Sequence, residues 1–159
     1  MWKEVRAIPI EDPSEIQTLY QIETETFGDL AWSWGMLEGE LRHPFSKGLL
    51  LRLHSQPLGY ALYRRQEREG ELLRLAIKPD YQGKGLGKYL LSELFKRLIS
   101  EGVERLYLEV SEVNQRGLKF YERMGFKLLG KRENYYKWGE HARVLYISLK
   151  EVKDDKGCY

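Results

Sequence analysis

Three glycines within five positions form the part of the sequence best suited to bind an anion. Gly83, Gly85 and Gly87 precede a long periodic segment, and Lys84 and Lys88 add positive charge beside them. Glycine permits tight turns that expose backbone N–H groups, and such groups at the positive end of a helix dipole bind phosphate. The stretch therefore predicts a phosphate-binding loop, although an ordinary glycine-rich turn before a helix would have the same composition.

The spacing of the glycines excludes two common nucleotide-binding motifs. A Walker A loop requires Gly-x-x-x-x-Gly-Lys-Ser/Thr, but Tyr89 follows Gly87-Lys88, and Gln82 stands where the first glycine is required. The dinucleotide fingerprint Gly-x-Gly-x-x-Gly fails as well, because Lys88 or Leu90 occupies the position of its last glycine. The predicted ligand is therefore a phosphate compound of another class.

Alternating strands and helices must position this loop. Leucines at 86, 90, 94 and 98 repeat at helical spacing and Gly102 follows them, which predicts a long helix directly after the loop. Alternating residues over 105–111 predict a strand, and Asn114 and Gly125 are suited to the two ends of a short helix. Strands that alternate with helices imply an α/β layer arrangement. The remaining predicted elements are a helix over 13–24, a partly helical segment over 27–45, and strands over 48–53, 58–65, 71–78, 126–132 and 143–149.

Charge and hydropathy limit the class of protein. The chain has 159 residues, with 26 Lys and Arg against 24 Asp and Glu, so a broad basic face for nucleic acid is not expected. The longest apolar runs are four residues, far short of the roughly 20 that span a membrane. Lys3, Glu4 and Arg6 occupy positions where a signal peptide needs its apolar core. We therefore expect a cytoplasmic protein without a membrane or nucleic-acid partner.

Cysteine and histidine usage predicts neither a disulfide nor a metal. Cys158 is the single cysteine, so it has no internal partner, and His43, His54 and His141 lack the spacing of metal ligands. We expect one domain over residues 1–150, followed by a charged tail over 151–159. Either a monomer or a homodimer is compatible with this composition.

Two segments resemble the GNAT superfamily of N-acetyltransferases. Gln82-x-x-Gly85-x-Gly87, after a strand that ends in Ile77-x-Pro79, is similar to the acetyl-CoA pyrophosphate loop of that superfamily. The stretch from Asn114 to Phe126 is similar to its second signature, and the resemblance covers about residues 71–149. Two further segments resemble the ribosomal-protein N-terminal alanine acetyltransferases and their archaeal relatives: Leu106-Tyr107-Leu108-Glu109-Val110 and Arg132-Glu133-Asn134-Tyr135-Tyr136.

The resemblance implies the GNAT fold and an acetyl-CoA site. In this fold a mixed central sheet is flanked by helices, and two neighbouring parallel strands, here 71–78 and 105–111, splay apart to admit the cofactor. The pantetheine arm would lie along the first strand, the pyrophosphate would bind the loop, and Asn114 would contact the CoA further along. The implied cofactor-binding residues are Leu75, Ala76 and Ile77 for the arm, and Gln82, Gly83, Lys84, Gly85, Leu86, Gly87 and Lys88 for the loop.

Acetyl transfer requires a neutral amine, a polarised thioester carbonyl and a proton for the departing thiolate. From its position alone, Glu109 would be a solvent-facing residue paired with Lys or Arg, and Tyr121 a core aromatic. The resemblance instead implies Glu109 as general base and Tyr121 as general acid. A phenol with a pKa near 10 keeps its proton until a thiolate with a pKa near 8.5 forms. Backbone N–H groups near Ala76 and Ile77 would hold the oxyanion, provided that a β-bulge frees them.

The sequence says less about the acceptor amine than about the acetyl donor. An α-amine, with a pKa near 7.7–8.0, becomes neutral more easily than Lys near 10.4, so one carboxylate base favours an α-amine. The resemblance also implies a protein N-terminus, while a small-molecule amine, a Lys side chain and a CoA-binding module without turnover are alternatives. Trp32, Tyr135 and Tyr136 are candidate acceptor-binding residues, although simple packing would also explain them. The family's Pro-Trp-Ser reads Ala31-Trp32-Ser33 here, and His141 replaces an acidic residue.

Overall fold

The structure is a computed structural model, and it describes residues 2–133 and 141–153. Within these two ranges the chain forms seven strands and five α-helices, joined by short turns. The strands are β1 (Val5–Pro9), β2 (Ser46–Leu53), β3 (Gln56–Gln66), β4 (Glu69–Ile77), β5 (Arg105–Ser111), β6 (Lys127–Arg132) and β7 (Ala142–Ser148). The helices are α1 (Ile16–Phe27), α2 (Trp34–Leu41), α3 (Leu86–Ser100), α4 (Gln115–Arg123) and α5 (Leu149–Lys153).

The strands form one mixed sheet in the order β1-β2-β3-β4-β5-β7-β6. Neighbouring strands are antiparallel except β4 and β5, which are parallel and are connected through α3. A parallel connection needs a crossover of this kind, and the helix lies on one face of the sheet. The predicted mixed sheet flanked by helices, with one parallel strand pair, is confirmed.

Helices cover the two faces of the sheet unequally. The leucines of α3 pack into the main core together with Leu72, Leu106 and Leu108 of β4 and β5. On the other face, α1 and α2 pack over β2, β3 and β4 in a second cluster that includes Tyr60 and Ala76. Residues of β5 and β7 on this second face remain partly exposed. Within the described residues, the face of β5 and β7 next to β4 is therefore not covered by a helix.

Two elements were not predicted. Val5–Pro9 forms the edge strand β1. This segment is short, and it is a strand because it pairs with β2 along its whole length. Residues 149–153 form α5, in which Val152 is buried against the main core and the Leu149 N–H donates to the Glu104 carbonyl at 2.8 Å. Residues 154–159 of the predicted tail lie outside the described ranges, and the division at residue 150 stays a prediction. No helix in the described parts of the chain is long and apolar enough to cross a membrane.

Candidate active site

The candidate site lies where β4 and β5 diverge. Their parallel pairing begins at Glu69↔Arg105 and ends at Leu72↔Leu108. Beyond these residues β4 stays paired with β3 as far as Ile77, and β5 stays paired with β7. Each strand is thus held on its outer side while the inner sides separate, which opens a gap in the sheet without breaking it.

A β-bulge marks the start of this gap. Tyr63 of β3 pairs with Leu72, but the next residue, Leu62, pairs with Arg74, so Leu73 is an extra residue in β4. An extra residue bends its strand and increases the local twist. The bulge therefore directs the second half of β4 away from β5. The sequence had placed the required bulge nearer to Ala76.

Backbone groups of β4 point into the gap beyond the bulge. The Lys78 N–H donates to the Leu58 carbonyl at 2.9 Å, so it points towards β3. Because backbone groups of successive residues in a strand point to opposite sides, those of Leu75 and Ile77 point towards the gap. The separation of β5, rather than the bulge itself, therefore leaves these groups without a strand partner. An extended amide such as the pantetheine arm fits this edge, and the Leu75 N–H suits an oxyanion.

The loop between β4 and α3 has the backbone conformation that its glycines predict. Gly83 and Gly85 have φ of +75° and +82°, values that side chains with a Cβ rarely adopt. A Cβ at either position would meet nothing within 4 Å, so the loop faces open space where a ligand can approach. Lys84 and Lys88 are exposed beside it and form no ion pair with any residue that the structure describes.

Contacts within the protein hold this loop in place. Gln82 donates from Nε2 to the Ile77 carbonyl at 2.8 Å, which fixes the turn after β4. A Cβ at Gly87 would lie 3.5 Å from the ring of Phe120, an ordinary van der Waals distance, so the start of α3 lies against α4. The Leu86 side chain is buried in the core, so only its backbone can contact a cofactor. The N-terminus of α3 therefore presents its free N–H groups next to the gap.

Helix α4 carries Asn114 and Tyr121. The Asn114 side chain caps the helix, with Oδ1 accepting the Gly117 N–H at 2.9 Å. The Tyr121 ring packs edge to face against Phe120 and Phe126, with ring centres 5.2 and 5.5 Å apart. Burial raises the pKa of Tyr121 to about 12, against a smaller opposing effect of the Arg74 charge. Its hydroxyl therefore remains protonated near pH 8.5, where a thiol ordinarily becomes a thiolate.

Glu109 lies on the open face of β5, opposite to Leu108 and Val110, which point into the core. Its carboxylate accepts a hydrogen bond from Arg132 of β6 and is 17% exposed. The sequence indicated either a paired strand glutamate or a general base, and the structure shows the pair at a position bordering the gap. The pairing with a cation is therefore present, and the role of Glu109 as general base stays a prediction.

A buried ionic network lies under the segment that joins α1 to α2. Glu23 is fully buried and binds the Arg74 guanidinium through two hydrogen bonds of 2.9 and 2.6 Å. It also accepts the Tyr60 hydroxyl and, at 2.7 Å, the Trp32 backbone N–H. The Arg74 guanidinium lies 3.9 Å from the ring centre of Phe27. These contacts fix Trp32 next to the bulge of β4.

The predicted acceptor-binding residues have different outcomes. Trp32 is partly buried and packs on the second cluster, 5.4 Å from the Arg74 guanidinium, at the border of the gap. Tyr135 and Tyr136 lie outside the described residues.

Sequence reasoning missed Arg74 and Glu23, although the sequence contains a sign of each. A charged residue interrupts Leu72-Leu73-Arg74-Leu75, and Glu23 lies four residues after Leu19 on the apolar side of α1.

Comparison with known proteins identifies the family. The family model described as the acetyltransferase (GNAT) family matches residues 2–126, most of the chain. The chain belongs to the GNAT family of acetyltransferases. It is therefore an N-acetyltransferase, and members of this family use acetyl-CoA. The gap along β4 and the loop at α3 fit the arm and the pyrophosphate of that cofactor.

Individual relatives also support membership of the GNAT family. The ribosomal protein bS18-alanine N-acetyltransferase of Haemophilus influenzae is 35% identical over 122 residues, which cover 77% of this chain and 82% of that protein. The crystal structure of the ribosomal-protein-S18-alanine N-acetyltransferase from Escherichia coli matches with a TM-score of 0.83 and 27% identity, covering 91% of this chain and 94% of that one. A GNAT acetyltransferase from Elizabethkingia anophelis with acetyl-CoA bound matches with a TM-score of 0.78 at 14% identity, covering 92% and 99% of the two chains. The last comparison concerns the fold alone.

Proposed function

We propose that this enzyme transfers the acetyl group of acetyl-CoA to the N-terminal α-amine of a protein, with Glu109 as base and Tyr121 as acid. The observation that carries the proposal is the gap between β4 and β5, which has Glu109 on one strand and the glycine loop at the end of the other. The names of the relatives point to the N-terminal alanine of a ribosomal protein as the acceptor. A cytoplasmic location stays a prediction.

Acetyl-CoA would lie along the inner edge of β4. Its pyrophosphate would accept hydrogen bonds from the 83–88 backbone at the start of α3, with Lys84 and Lys88 adding charge. The backbone of Leu75 and Ile77 would pair with the pantetheine amides, and the thioester carbonyl would point to the Leu75 N–H. Asn114 caps α4, and its amide nitrogen is the part of the side chain available to the cofactor.

The chain supplies the two proton transfers that the reaction requires. Glu109 takes a proton from the attacking nitrogen, directly or through a water molecule. Tyr121 gives its proton to the CoA sulfur as the carbon–sulfur bond breaks. The raised pKa of Tyr121, about 12, keeps the phenol protonated until that moment. Arg132 orients the Glu109 carboxylate through its hydrogen bond.

The acceptor class can be tested with one peptide that has both a free N-terminal alanine and an internal lysine. We expect mass spectrometry to show acetylation of the N-terminus, because the α-amine becomes neutral at a lower pH than lysine. The same peptide with a blocked N-terminus is the control and should remain unmodified. Predominant lysine acetylation would overturn the α-amine proposal. Modification of neither site, with turnover on a polyamine, would favour a small-molecule acceptor.

If the protein binds acetyl-CoA but acetylates no amine, it is a regulatory module and not an enzyme of this kind.

The roles of Glu109 and Tyr121 can be tested with two variants. Glu109→Gln keeps the size of the side chain but removes the base, so turnover should fall about 10²–10⁴-fold while acetyl-CoA affinity stays nearly constant. Tyr121→Phe keeps the packing of α4 and should slow departure of the thiolate. Turnover at the wild-type rate in both variants, measured where chemistry limits the rate, would refute these two roles.

A further inference from the structure

The β-bulge of β4 decides which face of the sheet receives the Arg74 side chain. Leu72 packs in the main core, whereas the extra residue Leu73 packs on the second cluster. Arg74 lies on the same face as Leu73, because it binds Glu23 of α1 there. Without the extra residue, the alternation of the strand would turn Arg74 towards the main core. The bulge therefore places a guanidinium where β4 and β5 separate, on the face that also carries Glu109.

The described part of the protein uses only one edge of this guanidinium. Nε and Nη2 donate to the Glu23 carboxylate at 2.9 and 2.6 Å, and Nη2 also donates to the Leu30 carbonyl at 3.3 Å. A guanidinium has N–H groups on both edges, so Nη1 keeps its own donors on the side away from Glu23. Among the described residues Nη1 has no acceptor, and the side chain is 20% exposed rather than enclosed. These N–H groups are therefore available to a ligand at the border of the gap.

Neighbouring side chains hold the guanidinium in one orientation. It lies 3.9 Å from the ring centre of Phe27 and 5.4 Å from that of Trp32. Its partner Glu23 is fully buried and is itself held by the Tyr60 hydroxyl. A donor that is fixed before its ligand arrives loses little conformational freedom on binding. Because the Glu23 carboxylate balances the positive charge, the donor can also lie close to an acceptor ammonium without strong repulsion.

Arg74 also lies close to the groups proposed to react. Its charge opposes the effect of burial on the pKa of Tyr121, so the guanidinium is within electrostatic range of the proposed acid. In a peptide the carbonyl oxygen of the first residue is only a few bonds from the α-nitrogen, so an attacking α-amine brings this oxygen with it into the gap. We propose that Nη1 of Arg74 donates a hydrogen bond to the carbonyl oxygen of the first residue of the acceptor. This inference rests on the proposed function.

This contact selects the chemical class of the acceptor. Every peptide N-terminus has a carbonyl oxygen at this distance from its amine, whatever its first side chain. A lysine side chain or a polyamine has only methylene groups there, so neither can accept the hydrogen bond. A site that hydrogen-bonds one substrate discriminates against an analogue that lacks the bonding group. Arg74 is therefore an acceptor-binding residue that favours peptide α-amines over other amines.

The test combines an atomic change in the peptide with a change at Arg74. An alanine-terminated peptide is compared with the same peptide carrying sulfur in place of the first carbonyl oxygen, because sulfur is a weaker hydrogen-bond acceptor. Sulfur at the second carbonyl is the control for the peptide. Arg74→Lys keeps a cation for Glu23 but removes the second edge of the guanidinium. Arg64→Lys is the matched control for the protein, since Arg64 binds Glu40 through Nε and Nη2 in the same way on β3.

The rates are measured at pH 9, where an α-amine with a pKa near 8 is mostly neutral. A hydrogen bond from a charged donor contributes roughly 10- to 100-fold, so we expect sulfur at the first carbonyl to lower kcat/KM of the wild type by about tenfold or more. Sulfur at the second carbonyl should change little. Arg74→Lys should raise KM for the oxygen peptide by a similar factor, leave KM for acetyl-CoA unchanged, and no longer distinguish sulfur from oxygen. Arg64→Lys should follow the wild type with all three peptides.

The coupling between the two changes separates a direct contact from structural support. A merely structural role of Arg74 would lower activity with both peptides equally, so a sulfur effect that persists in folded Arg74→Lys would overturn the inference. A wild type that does not distinguish sulfur from oxygen at the first carbonyl would also overturn it, and this comparison needs no variant. In that case the proposed function would still stand, because peptide acetylation is observed. If the wild type acetylates no peptide N-terminus, the proposed function fails, and this inference fails with it.

Discussion

Replacing Arg74 by methionine removes the only cation that hydrogen-bonds Glu23 in the described part of the chain. Glu23 is fully buried, so its carboxyl group would lose the two hydrogen bonds of 2.9 and 2.6 Å from Arg74 and the cation that balances its charge. Removing one partner of a buried ion pair costs about 3–5 kcal/mol, because the other charge stays unpaired. We therefore expect Arg74→Met to lower the free energy of unfolding by about 3–5 kcal/mol, within a total that is usually 5–15 kcal/mol.

The matched control is Arg64→Met on the neighbouring strand. Arg64 also makes two hydrogen bonds to one carboxylate, that of Glu40, but its side chain is 39% exposed. A solvated pair of this kind contributes about 1 kcal/mol or less. Urea denaturation at pH 7, followed by tryptophan fluorescence and far-UV circular dichroism, measures both variants. If Arg74→Met costs no more than Arg64→Met, the buried network does not stabilise the α1–α2 segment.

The other predictions concern the cofactor, the chemistry and the titration of single groups. Gly85→Val should abolish acetyl-CoA binding in calorimetry, because valine resists the φ of +82° and blocks the approach of the phosphate. Gly102→Val, at the same φ of +82° beyond the other end of α3, is the control and should bind normally; tight binding by folded Gly85→Val would refute the loop assignment. Lys84→Ala should weaken binding by only about 1 kcal/mol, as expected for an exposed charge. Activity should persist to at least pH 10, because the pKa of Tyr121 is about 12, and a fall centred near pH 10 that Tyr121→Phe removes would contradict this. Burial and the negative charge of Glu109 raise the pKa of Glu71 in the folded state, so its favourable contribution to stability is complete at low pH and is lost as the pH rises. Glu71→Gln should therefore melt no lower than wild type at pH 7, and a clear drop in Tm would contradict this.

Local features of the site could be predicted from residues close together in the chain. The leucine repeat after Gly85 predicted α3, and glycine was required at 83 and 85 because both residues have positive φ. Asn114 was predicted to cap α4, and its side chain does so. These features depend on residues close together in the chain, so that spacing and local backbone preference suffice to predict them.

The identity of the family also followed from the sequence. The glycine loop and the 114–126 signature predicted a GNAT acetyltransferase with a splayed parallel strand pair, and the family model and the strand pairing confirm both. The strand β1 was missed because five residues give too little periodicity, and it is stable only through its pairing with β2.

The contacts between charged groups depend on how distant parts of the chain pack together. Glu23 and Arg74 are 51 positions apart, and Glu109 and Arg132 are 23 apart, so no local pattern connects them. Glu71 and Glu109 come together because β4 and β5 pair in one particular register, and a shift of one residue would turn one of them into the core. The electrostatics of a buried or clustered group depend on its nearest charges and on its exposure, and both are fixed by how the sheet and helices pack.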